Sequence, residues 1–331
     1  MNAVTSSSLP TILQVQNLRA TYYANRQAIP AVSDVSFTLH QGERLGIVGE
    51  SGSGKSSLAL ALLRLLKPPT KIEGTVTYNG GPNLLALNQT QMRALRWRDL
   101  ALIPQGAMNS LNPVMKVKHQ LRDVFTAHQQ DWPADRVDDH IKEVLGLVGL
   151  PATVGELYPH ELSGGMKQRV CIAMAILLEP KVIVADEPTS ALDVVVQRLI
   201  MQTLRQVQAQ LHSAVIIIGH DMGLMAQFVD RLAVMYAGKL VEIAPVKPFY
   251  RTPLHPYSRS LIAAVPSTRR QRVMVGLPGS QPPLAQLPTG CAFHPRCPFA
   301  VERCRREIPP LRTVALERSV ACHLVEALPN D

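Results

Sequence analysis

No stretch of the 331 residues approaches the ~18 consecutive apolar residues of a bilayer-spanning helix, so the chain is not expected to cross a membrane by itself. The first ten residues lack a basic segment followed by an apolar core. The sequence therefore predicts no secretory signal and a cytoplasmic compartment. Aromatic residues make up only 5% of the chain, thin for the stacking platforms of single-strand nucleic-acid binders. Thirty-four Lys and Arg against 25 Asp and Glu give a net charge of +9, but no long basic run gathers that charge. A solvated basic surface is the expectation, and no nucleic-acid partner. Cysteine is scarce too, with five residues and none of the Cys-x2–4-Cys pairs usual in zinc sites. In a cytoplasmic chain those five are not expected to form disulfides.

What the chain does have is a phosphate-binding loop. An apolar run at residues 45–48 reads as a buried strand, and Gly49-Glu50-Ser51-Gly52-Ser53-Gly54-Lys55-Ser56 follows it. A helix-prone stretch, residues 57–66, comes next. Strand, loop and helix in that order are the context the GxxxxGK[ST] pattern requires. The glycines let the backbone aim N–H groups inward, and the helix start adds its positive end. Lys55 places a charge on the β- and γ-phosphates, and the Ser56 hydroxyl ligates Mg²⁺. Gly49, Ser51, Gly52, Ser53, Gly54, Lys55, Ser56 and Ser57 are thus candidate nucleotide-binding residues.

Around this loop the chain alternates strands and helices. Residues 12–18 and 32–39 alternate as half-buried strands, with Tyr22 and Tyr23 expected in a polar loop between them. Residues 74–78 suit another short strand, and residues 100–104 a buried one that ends at Gln105. Residues 106–162 turn helical, with Val124, Ile141, Val144, Leu145 and Leu147 at three- and four-residue spacing. This block reads as a helical insertion into an α/β core. Ser163-Gly164-Gly165 closes it and opens a helix over residues 170–178, a second place suited to phosphate. Cys171 in that helix reads as core. The β-branched run before Asp186 and Glu187 is a buried parallel strand that delivers two carboxylates at its C-terminal end. Asp186 can hold Mg²⁺ while Glu187 polarises an attacking water. Residues 190–193 form a tight turn, a helix spans 195–211, and the strand at 214–218 ends at Gly219-His220. His220, at an equivalent strand end, is placed to touch a γ-phosphate.

The P-loop, Gln105, the Leu162-Ser163-Gly164-Gly165-Met166 run, Asp186-Glu187, the 190–193 turn and His220 together resemble the ATPase subunits of ABC transporters over about residues 12–250. The resemblance implies a RecA-like P-loop core with an antiparallel β subdomain and a helical subdomain at about 106–168. It implies Tyr22 as the adenine-stacking aromatic, with Tyr23 as fallback. Gln105 would touch Mg²⁺ and link the site to a membrane partner through the segment 109–114. Glu187 would be the catalytic base and His220 the switch histidine. Ser163, Gly164 and Gly165 would act in trans on the ATP of a second subunit, and Asp193 would be a further nucleotide-binding residue. Gly106 departs from the acidic residue many relatives carry there, which bears on coupling and not on ATP binding.

Beyond about residue 253 the composition changes. Residues 261–331 contain no lysine, nine arginines and five acidic residues, with Pro278, Pro282, Pro283 and Pro288 in one stretch. Cys291, Cys297, Cys304 and Cys322 lie here, either as four independent buried thiols or as one shared site. The His255-Pro256-Tyr257 segment and the run from Gly290 to Cys297 resemble the C-terminal extension of the oligopeptide/dipeptide (also nickel) importer branch, some members of which hold an iron–sulfur cluster. That resemblance implies two domains, 10–255 and 256–331, and a [4Fe–4S] cluster on the four cysteines, with Zn²⁺ as the alternative. It further implies an ATP-hydrolysing subunit of a peptide importer on the cytoplasmic face of the membrane. Its partners would be a paralogous ATPase in a head-to-tail dimer, two permease subunits and, indirectly, an external solute-binding protein. Two other classes compete: an ABC ATPase acting on nucleic acid or ribosomes, and a redox or metal sensor that uses ATP as a switch. One P-loop with one signature run argues against the first, and Glu187, a base for turnover, against the second.

Overall fold

The computed structural model describes residues 9–24, 26–106, 110–128, 131–265 and 277–327. In chain order they form β1 (Thr11–Ala24), β2 (Gln27–His40), β3 (Arg44–Val48), α1 (Lys55–Leu62), β4 (Thr70–Tyr78), α2 (Gln89–Leu95) and β5 (Leu100–Ile103). There follow α3 (Val117–Ala127), α4 (Ala134–Leu147), α5 (Gly164–Ile176), β6 (Val182–Asp186), α6 (Val194–Leu211), β7 (Ala214–Gly219), α7 (Met222–Phe228) and β8 (Arg231–Tyr236). Last come β9 (Lys239–Pro245), α8 (Val246–Arg251), α9 (Pro256–Ala263), α10 (Glu302–Arg306), β10 (Arg312–Ala315) and β11 (Arg318–Val320). No helix among the described residues is long and apolar enough to cross a membrane.

Two compact units divide the chain. The first comprises Met1–Leu39, Arg44–Leu85 and Gly219–Asp331, the second His40–Glu43 and Ala86–Ile218. In the first unit, a three-stranded antiparallel sheet in the order β2-β1-β4 packs its alternate residues inward, Leu13, Val15, Leu18 and Ala20 from β1 among them. β1 runs past the predicted residue 18, so Tyr22 and Tyr23 lie in the strand and not in a loop. Pairing with β4 is the reason: Thr21 faces Lys71 and Tyr22 faces Thr70, and this ladder outweighs the polarity of the segment. A second, mixed arrangement runs β10-β11-β9-β8-β3, with β3 parallel to β8 and the rest antiparallel. Leu45, Ile47 and Val48 of β3 are fully buried there, as a run without alternation predicts.

The C-terminal region is built onto this unit. Ser319 and Val320 of β11 pair with Ile243 and Glu242 of β9. Phe293, 1% exposed, packs against Tyr236 and Tyr257 with ring centroids 5.2 and 5.4 Å away. Truncating such a ring to alanine costs about 3–5 kcal/mol. An apolar anchor of this kind is not visible in the region's composition, which reads as too poor in apolar residues to fold without a staple.

In the second unit, β5, β6 and β7 form a parallel set in the order β7-β6-β5. All five residues of β6 are buried, which a β-branched run flanked by parallel neighbours requires. α3 and α4 bury Val117, Leu121, Val124 and Phe125, and Val137, Ile141, Val144 and Leu145. The helical insertion is therefore present, although Leu147 sits half-buried beyond the end of its face. One helix start and one helix end differ from the sequence expectation. α5 begins at Gly164 and not near residue 170, because Ser163 caps it, its Oγ accepting from the Met166 N–H at 3.3 Å. α1 stops at Leu62 and not near residue 66, where Arg64 turns left-handed with φ 52°.

Candidate functional site

The first unit holds the P-loop. Two of its glycines are fixed by close backbone approach. A Cβ on Gly49 (φ 154°) would meet the Met235 carbonyl oxygen at 2.2 Å, and one on Gly54 (φ 98°) the Ala31 carbonyl oxygen at 2.0 Å. Only glycine fits either place. Gly54 also caps α1 without a side-chain oxygen, which leaves the positive helix end to a ligand. Lys55 is 6% exposed and curls back over the loop. Its Nζ donates to the carbonyl oxygens of Gly49 and Glu50, each at 2.8 Å, and to Ser53 Oγ at 3.3 Å. Ser53 is itself buried, and its carbonyl accepts from the Gly238 N–H at 3.0 Å. A buried ammonium inside a ring of loop carbonyls is a preformed point charge for a phosphate.

Tyr22 reaches this loop from β1. Its hydroxyl shares a 3.1 Å hydrogen bond with Ser57 Oγ, whereas Tyr23 is 46% exposed. Of the two aromatics, Tyr22 is thus the one joined to the P-loop helix. His220 follows β7 as an exposed residue, and the next side chain, Asp221, caps α7 by accepting from the Leu224 N–H at 2.9 Å.

In the second unit, Asp186 ends β6 at 5% exposure. Glu187 follows with φ 45°, a left-handed backbone that non-glycine residues seldom adopt. Its N–H donates to the Ile218 carbonyl at 3.0 Å, and its side chain accepts from Gln105 Nε2, also at 3.0 Å. Gln105 and Glu187, 82 residues apart in sequence, are therefore brought into direct contact. Segment 190–193 turns as predicted, and Asp193 caps α6, its Oδ1 accepting from the Val196 N–H at 2.9 Å. Gln197 fastens that turn from inside, donating to the carbonyls of Thr189 (3.3 Å) and Leu192 (3.1 Å). A Cβ on Gly165 would lie 2.8 Å from Val196 Cγ1, so the glycine permits α5 to pack against α6. Val194 and Val195, 78% and 79% exposed, project beyond the turn.

The cysteines separate as expected in one respect. Cys171 is 6% exposed and burial pushes its thiol up to about 12, fitting a core residue. Burial raises Cys291 to about 11, and burial raises Cys297 and Cys322 too, with the neighbouring thiols adding to each effect. The Cys291 N–H donates to the Cys304 carbonyl at 2.8 Å. Gly290 makes this approach possible, since a Cβ there would meet that same oxygen at 2.4 Å. Among the described residues, however, no three His, Cys, Asp or Glu side chains are gathered closely enough to hold a metal ion.

Some residues that matter to the site are not legible as such in the sequence. The Glu50 N–H donates to Tyr257 Oη at 2.9 Å, and its carboxylate pairs with Arg296. Tyr257 and Arg296 both lie in runs singled out by resemblance alone, and no local pattern ties them to the P-loop.

Residues 32–190 match the family described as ABC transporter, and residues 241–304 the one described as oligopeptide/dipeptide transporter, C-terminal region. The chain is 43% identical over 314 residues to the oligopeptide transport ATP-binding protein OppD of Salmonella typhimurium, covering 94% of this chain and 93% of that one. It is 41% identical over 318 residues to the dipeptide transport ATP-binding protein DppD of Caldanaerobacter subterraneus subsp. tengcongensis, covering 95% and 97%. Among solved structures it resembles the dimeric post-hydrolysis state of the ATP-binding cassette MJ0796 bound to ADP and Pi. That match has a TM-score of 0.63 and 25% identity, over 71% of this chain and 99% of that one. The cbiO1 subunit of Clostridium perfringens matches with TM-score 0.61 at 26% identity, over 72% and 90%.

Proposed function

The chain belongs to the ABC transporter ATPases, in the branch with the oligopeptide/dipeptide C-terminal region, and on that premise we propose how its residues drive peptide uptake. It is the ATP-binding subunit of an importer of di- and oligopeptides, and it hydrolyses ATP. The observation that carries the reading is the P-loop itself, with Lys55 buried among the carbonyls of Gly49 and Glu50 at 2.8 Å.

In this reading the adenine stacks on Tyr22, and the loop from Gly49 to Ser57 wraps the phosphates. Lys55, held by its loop carbonyls, contacts the β- and γ-phosphate oxygens. Ser56, Gln105 and Asp186 would hold Mg²⁺, which when bound neutralises charge on the phosphates. The donor set fits that ion: a hydroxyl, an amide oxygen and a carboxylate are hard oxygen ligands. Glu187 takes the proton of the attacking water, and Gln105 orients the carboxylate by its hydrogen bond. His220 contacts the γ-phosphate. Ser163, Gly164 and Gly165 of a second ATPase subunit close over the nucleotide in trans, and Asp193 is a further nucleotide-binding residue. The exposed Val194 and Val195 beside the turn support a face meant for covering.

The nucleotide-binding domain is assigned to residues 10–255, with its helical subdomain at 106–168, and the C-terminal extension to 256–331. The second ATPase subunit is a paralogue in a head-to-tail dimer. Two permease subunits receive the motion, an external binding protein delivers cargo to them, and the complex sits on the cytoplasmic face of the membrane. The four thiols of the extension are assigned to a [4Fe–4S] cluster, with Zn²⁺ as the alternative. The Cys291 N–H bond to the Cys304 carbonyl and the close approach at Gly290 support that assignment by joining two of the four cysteine segments, although among the described residues no three such side chains are gathered closely enough to hold a metal ion. The test of the reading is co-purification of the tagged chain with two permease subunits, followed by ATP-driven uptake of a labelled dipeptide into vesicles holding the complex. A chain that binds ATP but recovers no membrane subunit overturns it.

A further inference from the structure

Glu50, the first variable residue of the P-loop, is gripped at every polar group it owns. Its carbonyl accepts from Lys55 Nζ at 2.8 Å. Its N–H donates to Tyr257 Oη at 2.9 Å. Its carboxylate forms a two-pronged pair with Arg296, Nη1 to Oε2 at 2.8 Å and Nη2 to Oε1 at 3.0 Å. Arg296 and Tyr257 lie 246 and 207 residues away in the chain, both in the C-terminal region of the same unit.

The grip is rigid. The Arg296 side chain is only 7% exposed. Its Nε donates to the Pro278 carbonyl at 2.9 Å, its Nη1 also reaches Tyr236 Oη at 3.3 Å, and its guanidinium lies 5.9 Å from the Tyr236 ring centroid. Tyr257 is fully buried, its ring 4.7 Å from Tyr236 and 5.4 Å from Phe293. A planar fork held on three sides and bonded to a carboxylate in two places fixes direction as well as distance, which a lysine at that position would not do. Glu50 therefore cannot turn without breaking contacts to the C-terminal region, and a turn of Glu50 moves a carbonyl that holds Lys55.

We propose that Arg296 and Tyr257 are positioning residues for ATP, acting through Glu50 to hold the P-loop carbonyls that aim Lys55 at the phosphates. The C-terminal region is on this account a working part of the nucleotide site and not an appendage. The inference rests on the reading of the P-loop as the ATP site. A structural tie alone would make the same contacts but would show in melting temperature without altering ATP affinity, so the two are separable.

The experiment measures equilibrium binding of ATP with Mg²⁺ to the full-length chain, and turnover of the assembled complex at saturating ATP. Arg296→Met is expected to weaken binding about tenfold while leaving saturated turnover within about twofold, the mark of a misaimed ground-state contact. Arg296→Lys should recover part of the loss. Glu50→Gln combined with Arg296→Met should bind no worse than Arg296→Met alone, because both changes break one link. A folded Arg296→Met chain that binds ATP like the parent overturns the proposal, as does a double variant whose losses multiply. Should Arg296→Met fail to fold, Tyr257→Phe carries the test, since it removes one hydroxyl and keeps the ring packed. It is expected to weaken binding about threefold, and unchanged affinity overturns the proposal equally. Failure of the parent chain to bind ATP would instead sink the reading of the P-loop.

Discussion

The Gln105 side-chain amide donates to Glu187 Oε2 at 3.0 Å, joining the second residue beyond β5 to the one that follows β6. β5 and β6 are parallel neighbours in register, with Ile103 opposite Ala185, so their C-terminal ends emerge side by side. Strand pairing therefore sets the spacing of the two side chains. The left-handed backbone of Glu187, tied to the Ile218 carbonyl, then turns the carboxylate toward the amide. A carboxylate held by a neutral donor loses rotational freedom, which suits the role of base proposed for Glu187.

Glu187→Gln should keep the size of the side chain and remove its basicity. ATP turnover of the assembled complex is expected to fall about 10²–10⁴-fold, with ATP binding retained. Turnover and nucleotide retention measured on the same preparation decide it, and hydrolysis near the parental rate would show that Glu187 is not the base.

Lys55→Ala should act on binding itself. The ammonium supplies charge-assisted contacts to the phosphates, and its loss also releases the carbonyls of Gly49 and Glu50 that it now bridges. ATP affinity is expected to drop at least tenfold, read by calorimetry at fixed Mg²⁺. A variant with parental affinity and slow turnover would place the lysine's role in the transition state alone.

The segment after Gln105 is the expected contact to the permeases, and part of it is shaped from within. Gln120, 8% exposed, accepts from the Asn112 N–H at 2.8 Å and donates to the carbonyls of Asn112 (3.0 Å) and Met115 (2.8 Å). Val114, 80% exposed, projects from that clamped turn, and Asn109 lies outside the described residues. Val114→Asp is expected to cut peptide uptake several-fold while basal ATPase activity changes by less than about half, since a buried apolar contact with a partner would be lost. Equal losses in both assays would assign the turn to the nucleotide site.

Much of this was legible because the chemistry is local. The P-loop and the buried run before Asp186 each announce themselves within a dozen residues, where strand burial is decided. The extent of β1 was not, because its last residues owe their conformation to β4, about fifty residues later. The grip on Glu50 was illegible for the same reason at longer range. Nothing near Glu50 calls for an arginine 246 residues on, and nothing near Arg296 distinguishes it from its eight neighbours in an arginine-rich region. Gln120 and Gln197 read as ordinary polar helix positions until the turns they hold are seen.

The junction with the C-terminal region should be acid-sensitive. His255 is 1% exposed and its Nδ1 accepts the Tyr257 N–H at 3.0 Å, so it is buried neutral as the cap of α9. Burial holds its protonation down to about 3, whereas in the unfolded chain it takes up a proton near 6.5. The unfolded state thus binds more protons between those values, and stability falls as pH drops below about 6.5. Glu242 beside it works in the opposite sense. Burial raises its carboxylate against the pull of the Leu254 and His255 N–H groups and Arg318, and its contribution to stability grows as pH falls. His255→Asn keeps a capping side chain without the titration. Between pH 7 and 5 the parent is expected to lose about 2 kcal/mol more stability than this variant, measured by denaturant melts. Parallel pH profiles would show that His255 does not titrate in this window.

The four thiols give the last prediction. Burial raises Cys291, Cys297 and Cys322, with neighbouring thiols adding to it, so in a chain without an occupant these three stay protonated at neutral pH. Arg259 and Arg312 pull the Cys322 thiol down, which favours a thiolate once a ligand claims it. A [4Fe–4S] cluster uses four thiolates and matches the count once Cys171 is set aside in the core. Among the described residues no three such side chains are gathered closely enough for a metal ion, so loading the site asks for movement in the loops around Gly290, where the Cys291 N–H already grips the Cys304 carbonyl. Protein purified without oxygen is therefore expected to carry about four iron and four sulfide per chain and a brown colour, lost together in Cys297→Ser. Stoichiometric zinc in a colourless protein would replace the cluster with the alternative ion. Metal content untouched by Cys297→Ser would remove the shared site altogether, and leave the extension held by Phe293, β11 and the Arg296 pair alone.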